Sequence, residues 1–259
     1  MTHPSRQPSS QSSWQPVHGW YNELVGEKGH YYHQHVILPK TVQLLAMKEG
    51  TSLLDLACGQ GVLARALPAG VEYWGVDASR ALIEAAQQHD DSPDHHFAVA
   101  DLTRSTFPIE KKDFTHASII LALQNIRTPR QVFRHAVEHL VSGGKFLVVL
   151  NHPCFRIPRQ SSWGVDESKK TQYRRIDRYL SPLEIPIQAH PGKAQRSPMT
   201  WSFHFPLSTY LNELSDTGFV ITRFEEWSSD KTSEGKAAKM ENRSRSEFPL
   251  FAAILAEKR

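Results

Sequence analysis

Short apolar runs alternate with amphipathic segments between residues 51 and 150. Five runs have the length and composition of buried strands: SLLDLA, VEYWGV, HHFAVA, DFTHASIILAL and KFLVVL. Helical patterns lie among them, namely GVLARAL, then SRALIEAAQQH capped by Ser79, then TPRQVFRHAVEHL with Pro129 at its first position. Strands and helices that alternate in this way predict a parallel sheet with helices on both faces.

The alternation stops in residues 151–205, which are rich in proline and arginine and predict a cap inserted over the sheet. After it, LSTYLNELSDTG predicts a helix, and FVITRFEEW and FPLFAAILAEK predict two strands. No helical crossover is predicted between them, so we expect an antiparallel pair. Residues 228–247 are polar, and we expect them to be mobile. The predicted fold is α/β: a Rossmann-like, doubly wound, mostly parallel seven-stranded sheet with a C-terminal antiparallel hairpin and a cap insertion.

The N-terminal residues and the composition narrow the class of protein. Residues 1–16 are rich in Ser, Gln and Pro and predict a disordered tail. Residues 17–50 predict a helical lid, so residues 17–259 would form one domain. A formal net charge of +3 does not by itself indicate nucleic-acid binding, and two cysteines give no disulfide framework. Without a signal peptide or a run of roughly 20 apolar residues, we expect a cytoplasmic protein with no membrane partner.

A glycine-bearing turn follows the first strand in LLDLACGQG. Gly59 and Gly61 allow a tight turn and the close approach of a ligand, and a helix after them would offer free N–H groups. Acids follow three successive strands: Asp55, Asp77 and Asp101. A carboxylate after the second strand can bind both ribose hydroxyls, and one after the third can accept from an adenine amino group. Any single Asp could instead cap a turn, but three at successive strand ends favour a nucleoside site.

LLDLACGQG, GVDAS, VADLT and the terminal hairpin resemble the class I S-adenosylmethionine-dependent methyltransferases, over roughly residues 36–150 and 206–259. Ala57 stands where that family often has glycine, and small-molecule members of the ubiquinone/menaquinone type are similar there. The resemblance implies S-adenosylmethionine as cofactor, with its methionine end at Asp55 and the turn, its ribose at Asp77 and its adenine at Asp101. The implied cofactor-binding residues are Asp55, Ala57, Cys58, Gly59, Gly61, Asp77, Ala78, Asp101 and Leu102.

A dinucleotide site is the competing interpretation, because Gly59, Gly61 and Ala64 fit the glycine pattern of such sites. That interpretation requires neither Asp55 nor Asp101, and it does not predict the terminal hairpin. We therefore favour the methyltransferase.

The predicted reaction is an in-line displacement at an already activated methyl group, so positioning and exclusion of water supply most of the catalysis. After the fourth strand the chain reads Leu123, Gln124, Asn125, Ile126. It lacks both the Asn/Asp-Pro-Pro-Tyr/Phe turn typical of adenine and glutamine N-methyltransferases and the acids of the metal-dependent catechol type. We therefore predict a metal-independent enzyme acting on a small-molecule acceptor. An RNA methyltransferase and a non-catalytic binding protein remain the alternatives.

Candidate acceptor-site residues follow the fifth strand and lie in the lid. His152 is a candidate general base, because its ordinary pKa lies near neutrality, although it could merely bond a loop carbonyl. Tyr32 and His33 would cover the cofactor and acceptor, with core packing as the alternative. Cys154 is not expected to be a nucleophile, since the Pro-Cys of RNA cytosine-5 methyltransferases is missing after the fourth strand.

Five arginines in the cap suggest an anionic acceptor bound through forked hydrogen bonds. They are Arg156, Arg159, Arg174, Arg175 and Arg178. We predict that the acceptor is bound by Asn151, Arg156, Arg159 and Arg175. A solvated basic face and an RNA surface interleaved with Tyr173 and Tyr179 are the other interpretations.

Overall fold

The computed structural model describes residues 29–188 and 199–259. The strands in these ranges are β1 (Ser52–Leu56), β2 (Glu72–Asp77), β3 (His95–Val99), β4 (Phe114–Ile120), β5 (Leu140–Asn151), β6 (Ser161–Asp166), β7 (Thr171–Ile176), β8 (Leu183–Gln188), β9 (Met199–His204), β10 (Phe219–Trp227) and β11 (Phe251–Lys258). The α-helices there are α1 (Leu38–Leu45), α2 (Arg80–His89), α3 (Pro129–His139), α4 (Leu207–Asp216) and α5 (Ala238–Glu247). A π-helical turn, His33–Ile37, runs into α1.

Seven strands form the central sheet in the order β10-β11-β5-β4-β1-β2-β3. Strands β1 to β5 are parallel to one another, and β11 is antiparallel to both of its neighbours, β5 and β10. The predicted fold class, including the C-terminal antiparallel pair, is confirmed. The carboxyl ends of β1 to β5 therefore meet at one edge, where such sheets bind their ligands.

The apolar run of β5 is buried on both faces of the sheet. Phe146, Val148 and Leu150 pack in the core cluster that includes residues of α3 and α4, while Leu147 and Val149 pack in the cluster that includes α1. Side chains alternate between the two faces of a strand, so a sheet covered on both sides requires a continuous apolar run here.

The helix predicted from GVLARAL is wrong: the segment forms turns and a 3₁₀ helix over Ala64–Ala66. Leu67 is extended, with φ −75° and ψ 152°, because the proline after it disfavours the helical conformation. No α-helix therefore begins directly after the glycine turn.

The polar stretch at residues 228–247, for which the sequence predicts no helix, contains helix α5. Only Ser244 of this helix is buried, and its hydroxyl donates to the carbonyl of Gln172 on β7 at 3.1 Å. A helix without an apolar stripe gives no periodic signal in the sequence. The strands on either side of it still pair antiparallel.

The cap consists of two antiparallel hairpins, β6–β7 and β8–β9. The predicted tail, residues 1–16, and the first part of the predicted lid, residues 17–28, lie outside the described residues. No helix in the described ranges is both long and apolar enough to cross a membrane.

Candidate active site

The turn after β1 has left-handed backbone at three positions. Ala57, Gly59 and Gly61 have φ values of 60°, 57° and 72°. For Ala57 this conformation costs about 1–2 kcal/mol, which explains why glycine is the usual residue in such turns. A Cβ added at Gly61 would lie 2.9 Å from the ring of Phe97. The turn thus brings bare backbone to the carboxyl edge of the sheet, where a ligand can approach closely.

Asp77 ties this turn to the end of β2. Its carboxylate accepts from the backbone N–H of Gly59 at 3.0 Å and from that of Ser79 at 2.8 Å. Burial raises the pKa of Asp77, and the two N–H donors oppose that rise. The side chain is 9% exposed, and Ala78 beside it is half-buried. One buried carboxylate therefore fixes the two loops that the sequence assigns to a nucleoside.

Asp55 is part of a buried hydrogen-bond network within the sheet. Its carboxylate accepts from the Tyr73 hydroxyl at 2.8 Å and from the Ser118 hydroxyl at 2.7 Å. Gly75, which pairs with Asp55, leaves room for the tyrosine ring, because an added Cβ would lie 2.8 Å from Tyr73 Cε1 and 2.9 Å from Cys58 Sγ. Asp55 is only 3% exposed, so it supports the turn from beneath rather than presenting a free carboxylate.

Burial raises the pKa of Asp55 from its ordinary 3.8 to about 6. Since the folded-state pKa lies above the unfolded one, its contribution to stability is fully present below pH 3.8 and is lost as the pH rises through 6. The loss is about 3 kcal/mol, most of it between pH 4 and pH 6. We expect urea unfolding to show this fall relative to Asp55→Asn, whose amide does not titrate. Parallel pH profiles for the two proteins would contradict it.

Asp101 lies at the same edge but bonds within its own turn. Its carboxylate accepts from the Thr103 backbone and hydroxyl, at 3.0 and 2.7 Å, and from Arg104 Nε at 3.4 Å. The side chain is 34% exposed, which leaves it accessible to a ligand, while Leu102 is buried in the core. Asp101 thus caps a turn, as the alternative interpretation held, and still faces solvent beside β3.

His152 has no free ring nitrogen. Its Nδ1 accepts from the Cys154 N–H at 3.2 Å, so Nε2 carries the proton and donates to Glu226 at 2.7 Å. The side chain is 1% exposed, and burial lowers its pKa. In this arrangement the ring links the end of β5 to β10, and its role as the general base stays a prediction.

A cavity of about 30 Å³ lies at the carboxyl ends of β4 and β5, under the β8–β9 hairpin. Its lining includes Gln124, Asn151, Arg156, Ser202, Phe203 and His204. Arg156 Nη1 donates to Asn151 Oδ1 at 2.7 Å, and its guanidinium lies over the Phe251 ring at 5.5 Å. The structure brings these two predicted acceptor residues together.

The other two predicted acceptor residues are on the surface, and their assignment to the acceptor stays a prediction. Arg159 is exposed with φ 59°, and Arg175 is exposed and paired with Asp177 at 2.6 Å. Arg174 instead bonds inward, donating to the Phe155 carbonyl and the Ser161 hydroxyl at 2.7 Å each. Alternation along β7 explains the difference, since neighbouring side chains point to opposite faces.

The lid residues pack against the loop after β10. The Tyr32 hydroxyl is 3.0 Å from Ser229 Oγ, and its ring meets the edge of Phe251 at 5.7 Å. His33 is 7% exposed, Nδ1 of its ring is buried without a hydrogen-bond partner, and burial lowers its pKa to about 3. His33 is thus a neutral ring, whereas Tyr32 lies close to the Phe251–Arg156 contact.

Sequence reasoning missed Tyr73, Ser118, Gln124 and His204. Tyr73 and Ser118 occur inside apolar strands, where a hydroxyl carries no periodic signal. Gln124 and His204 reach the cavity only through tertiary packing. In the described parts of the chain, no group of three or more His, Cys, Asp or Glu side chains could hold a metal ion.

Residues 54–146 match the family model described as a methyltransferase domain. No curated protein matches the sequence. The fold is similar to an S-adenosylmethionine-dependent methyltransferase from Mesorhizobium loti, with 26% identity over 85% of this chain and 96% of that chain and a TM-score of 0.67. The fold is also similar to that of a putative S-adenosylmethionine-dependent methyltransferase from Listeria monocytogenes, with 22% identity over 84% of this chain and 97% of that chain and a TM-score of 0.63.

A third similar structure is the glycopeptide N-methyltransferase MtfA complexed with S-adenosylmethionine. It has 16% identity over 99% of this chain and all of that chain (100%), with a TM-score of 0.59. The matched domain contains the glycine turn and all three strand-end acids. Residues 54–146 therefore contain a methyltransferase domain, and the fold is similar to that of S-adenosylmethionine-dependent methyltransferases. The protein is an enzyme that takes S-adenosylmethionine as its cofactor and acts on a methyl acceptor.

Proposed function

We propose that this enzyme methylates a small-molecule acceptor without a metal ion, by in-line displacement. The observation that carries the proposal is the cavity at the ends of β4 and β5, which the β8–β9 hairpin covers. A partly open recess of polar and aromatic side chains at this edge suits one polar group of a small acceptor. The resemblance to ubiquinone/menaquinone-type enzymes at Ala57 points to the same class of acceptor.

The cofactor residues are proposed from the cradle described above. Gly61 packs tightly against the Phe97 ring of β3, and Gly59 and Ala57 shape the same turn. The cofactor is proposed to lie against the backbone of this turn. Asp77 is proposed to hold the ribose, and Asp101 with Leu102 the adenine. Asp55 is proposed to act through the turn, at the methionine end. When bound, S-adenosylmethionine supplies a methyl group already activated by a sulfonium.

The residues of the chain then contribute position and exclusion of water. Asn151 and Arg156 orient the acceptor at the end of β5, and Tyr32 covers the site from the lid. Such positioning can supply most of a displacement at an activated methyl group. An acceptor whose nucleophilic atom is already deprotonated at neutral pH would need no general base.

RNA is less well supported as the acceptor. Of the five cap arginines, Arg156 and Arg174 bond inward and Arg175 is paired with Asp177. Only Arg159 and Arg178 remain as exposed cations of that set without an ion pair among the described residues. A nucleic-acid surface requires a continuous basic track along the phosphates.

We expect His152→Ala to lose about 2 kcal/mol of stability, because two buried hydrogen bonds are lost. Turnover at saturating cofactor and acceptor should stay within about threefold, because the substitution removes no proton-transfer step. Glu226→Gln, which retains an oxygen that accepts from Nε2, is the matched control and should resemble the wild type. A fall in turnover of a hundredfold or more in folded His152→Ala protein would restore the histidine to the mechanism.

The test of the proposed function is transfer of label from methyl-labelled S-adenosylmethionine to a fractionated cell extract. We expect the label in the small-molecule fraction. Label in RNA or protein would contradict the small-molecule acceptor, and tight cofactor binding with no labelled product in any fraction would favour a binding protein on this fold.

A further inference from the structure

Arg156 is a cation for which the described residues supply no ionic partner. Among the described residues it takes part in no ion pair, and its hydrogen bond to Asn151 is with a neutral amide. Its guanidinium is half-buried, and burial lowers its pKa. A charge removed from water without a counter-charge is unfavourable, so a position of this kind is typical of a site completed by an anion.

The surroundings of Arg156 add positive charge and aromatic surface rather than acids. Arg174 is close enough to lower the pKa of Arg156 further, and it too bonds only to neutral oxygens. Among the described residues, Glu226 pairs with His152 and not with Arg156. Phe251 lies against the guanidinium, and Tyr32 packs on the edge of Phe251.

The cavity beside Arg156 has the size of a small anionic group. Its volume of about 30 Å³ holds on the order of two water molecules. The oxygens of one carboxylate occupy a similar space. Gln124, His204 and Ser202 line the same cavity and add polar contacts. An arginine fork, a small polar cavity and an aromatic wall together fit a ligand with an acidic head and an apolar body.

We propose that Arg156 is a binding residue for the methyl acceptor, and that this acceptor carries a fixed negative charge, a carboxylate or a phosphate, on an apolar or aromatic body. The proposal rests on the proposed function. The anionic group docks on the guanidinium and so fixes which acceptor atom faces the transferred methyl group. Arg156 therefore determines acceptor specificity, while cofactor binding depends on the glycine turn and Asp77.

The test separates acceptors by charge before the assay. Small molecules from a cell extract are divided on an anion exchanger at neutral pH, and each fraction is assayed with methyl-labelled S-adenosylmethionine. We expect acceptor activity only in the retained, anionic fraction. Treatment of that fraction with a phosphatase distinguishes the two sources of charge: activity is abolished for a phosphate ester and unchanged for a carboxylate.

Variants assayed on the active fraction then test the residue. Arg156→Gln should lower kcat/KM for the acceptor by about 10- to 100-fold, the usual range for one charged hydrogen-bonding group, and Arg156→Lys should recover part of it. Arg134→Gln, which removes an exposed arginine of α3, is the control and should retain wild-type values. All three should bind S-adenosylhomocysteine as the wild type does in calorimetry, which also shows that they are folded.

Two results would overturn the proposal. One is acceptor activity in the unretained, uncharged fraction, and the other is an unchanged kcat/KM in Arg156→Gln with normal S-adenosylhomocysteine binding. Either leaves methyl transfer to a small molecule intact. Label that enters only RNA or protein contradicts the proposed function instead, so the two failures are distinguishable.

Discussion

Replacing Gly61 with alanine should destabilise the protein by about 2–4 kcal/mol and weaken S-adenosylhomocysteine binding by more than tenfold. The left-handed φ of 72° costs a side chain about 1–2 kcal/mol, and the new Cβ, 2.9 Å from the Phe97 ring and 3.3 Å from Ala86 Cβ, adds an overpacking cost of similar size. To relieve the contact, the turn must shift away from β3, and its backbone then no longer fits the cofactor. Urea unfolding and calorimetry measure the two effects.

Gly143→Ala is the matched control for the clash. Gly143 has nearly the same φ, 73°, but an added Cβ would meet nothing within 4 Å. It should therefore show only the backbone cost of about 1–2 kcal/mol, with S-adenosylhomocysteine binding unchanged. Equal destabilisation by the two substitutions would show that the added Cβ of Gly61→Ala meets no clash. Normal binding by Gly61→Ala would show that the turn does not form the cofactor cradle.

Replacing Asp77 with alanine should weaken S-adenosylhomocysteine binding by about a hundredfold and destabilise the protein by about 2–4 kcal/mol. The substitution leaves the buried N–H groups of Gly59 and Ser79 without their acceptor, at about 1–3 kcal/mol each, and it removes the proposed ribose ligand. Calorimetry and urea unfolding give the affinity and the stability separately.

Asp77→Asn and Asp101→Ala are the comparison variants for Asp77→Ala. Asp77→Asn keeps one oxygen to accept from one of the N–H groups, so its stability should fall between the wild type and Asp77→Ala. Asp101→Ala removes a carboxylate that is partly exposed and bonds only within its own turn, so it should change stability by less than about 1 kcal/mol. Wild-type affinity in folded Asp77→Ala would contradict the ribose assignment.

The sheet could be predicted from the sequence because its signals are local. The apolar run from Phe146 to Leu150, the cap at Ser79 and the proline at position 129 each mark an element without reference to the rest of the chain. The acids at the strand ends could be placed at one edge of the sheet, because the carboxyl ends of parallel strands all lie at the same edge.

The contacts that decide the roles of the site residues could not be predicted, because their partners are distant in sequence. Asp55 receives its hydrogen bonds from Tyr73 and Ser118, and His152 meets Glu226 on β10. Whether a buried histidine keeps a free nitrogen depends on such partners, which neither residue type nor spacing encodes. The Arg174 side chain points inward and the Arg175 side chain points outward, and this difference likewise depends on the register of the β6–β7 hairpin.

The central claim is that the glycine turn and the strand-end carboxylates form one site for a sulfonium nucleoside or its demethylated product. Titration calorimetry of the wild-type protein with S-adenosylhomocysteine, with NADH titrated in parallel, tests it most directly. We predict saturable binding of one S-adenosylhomocysteine per chain and no heat from NADH. Tight binding of NADH with no heat from S-adenosylhomocysteine would contradict the account.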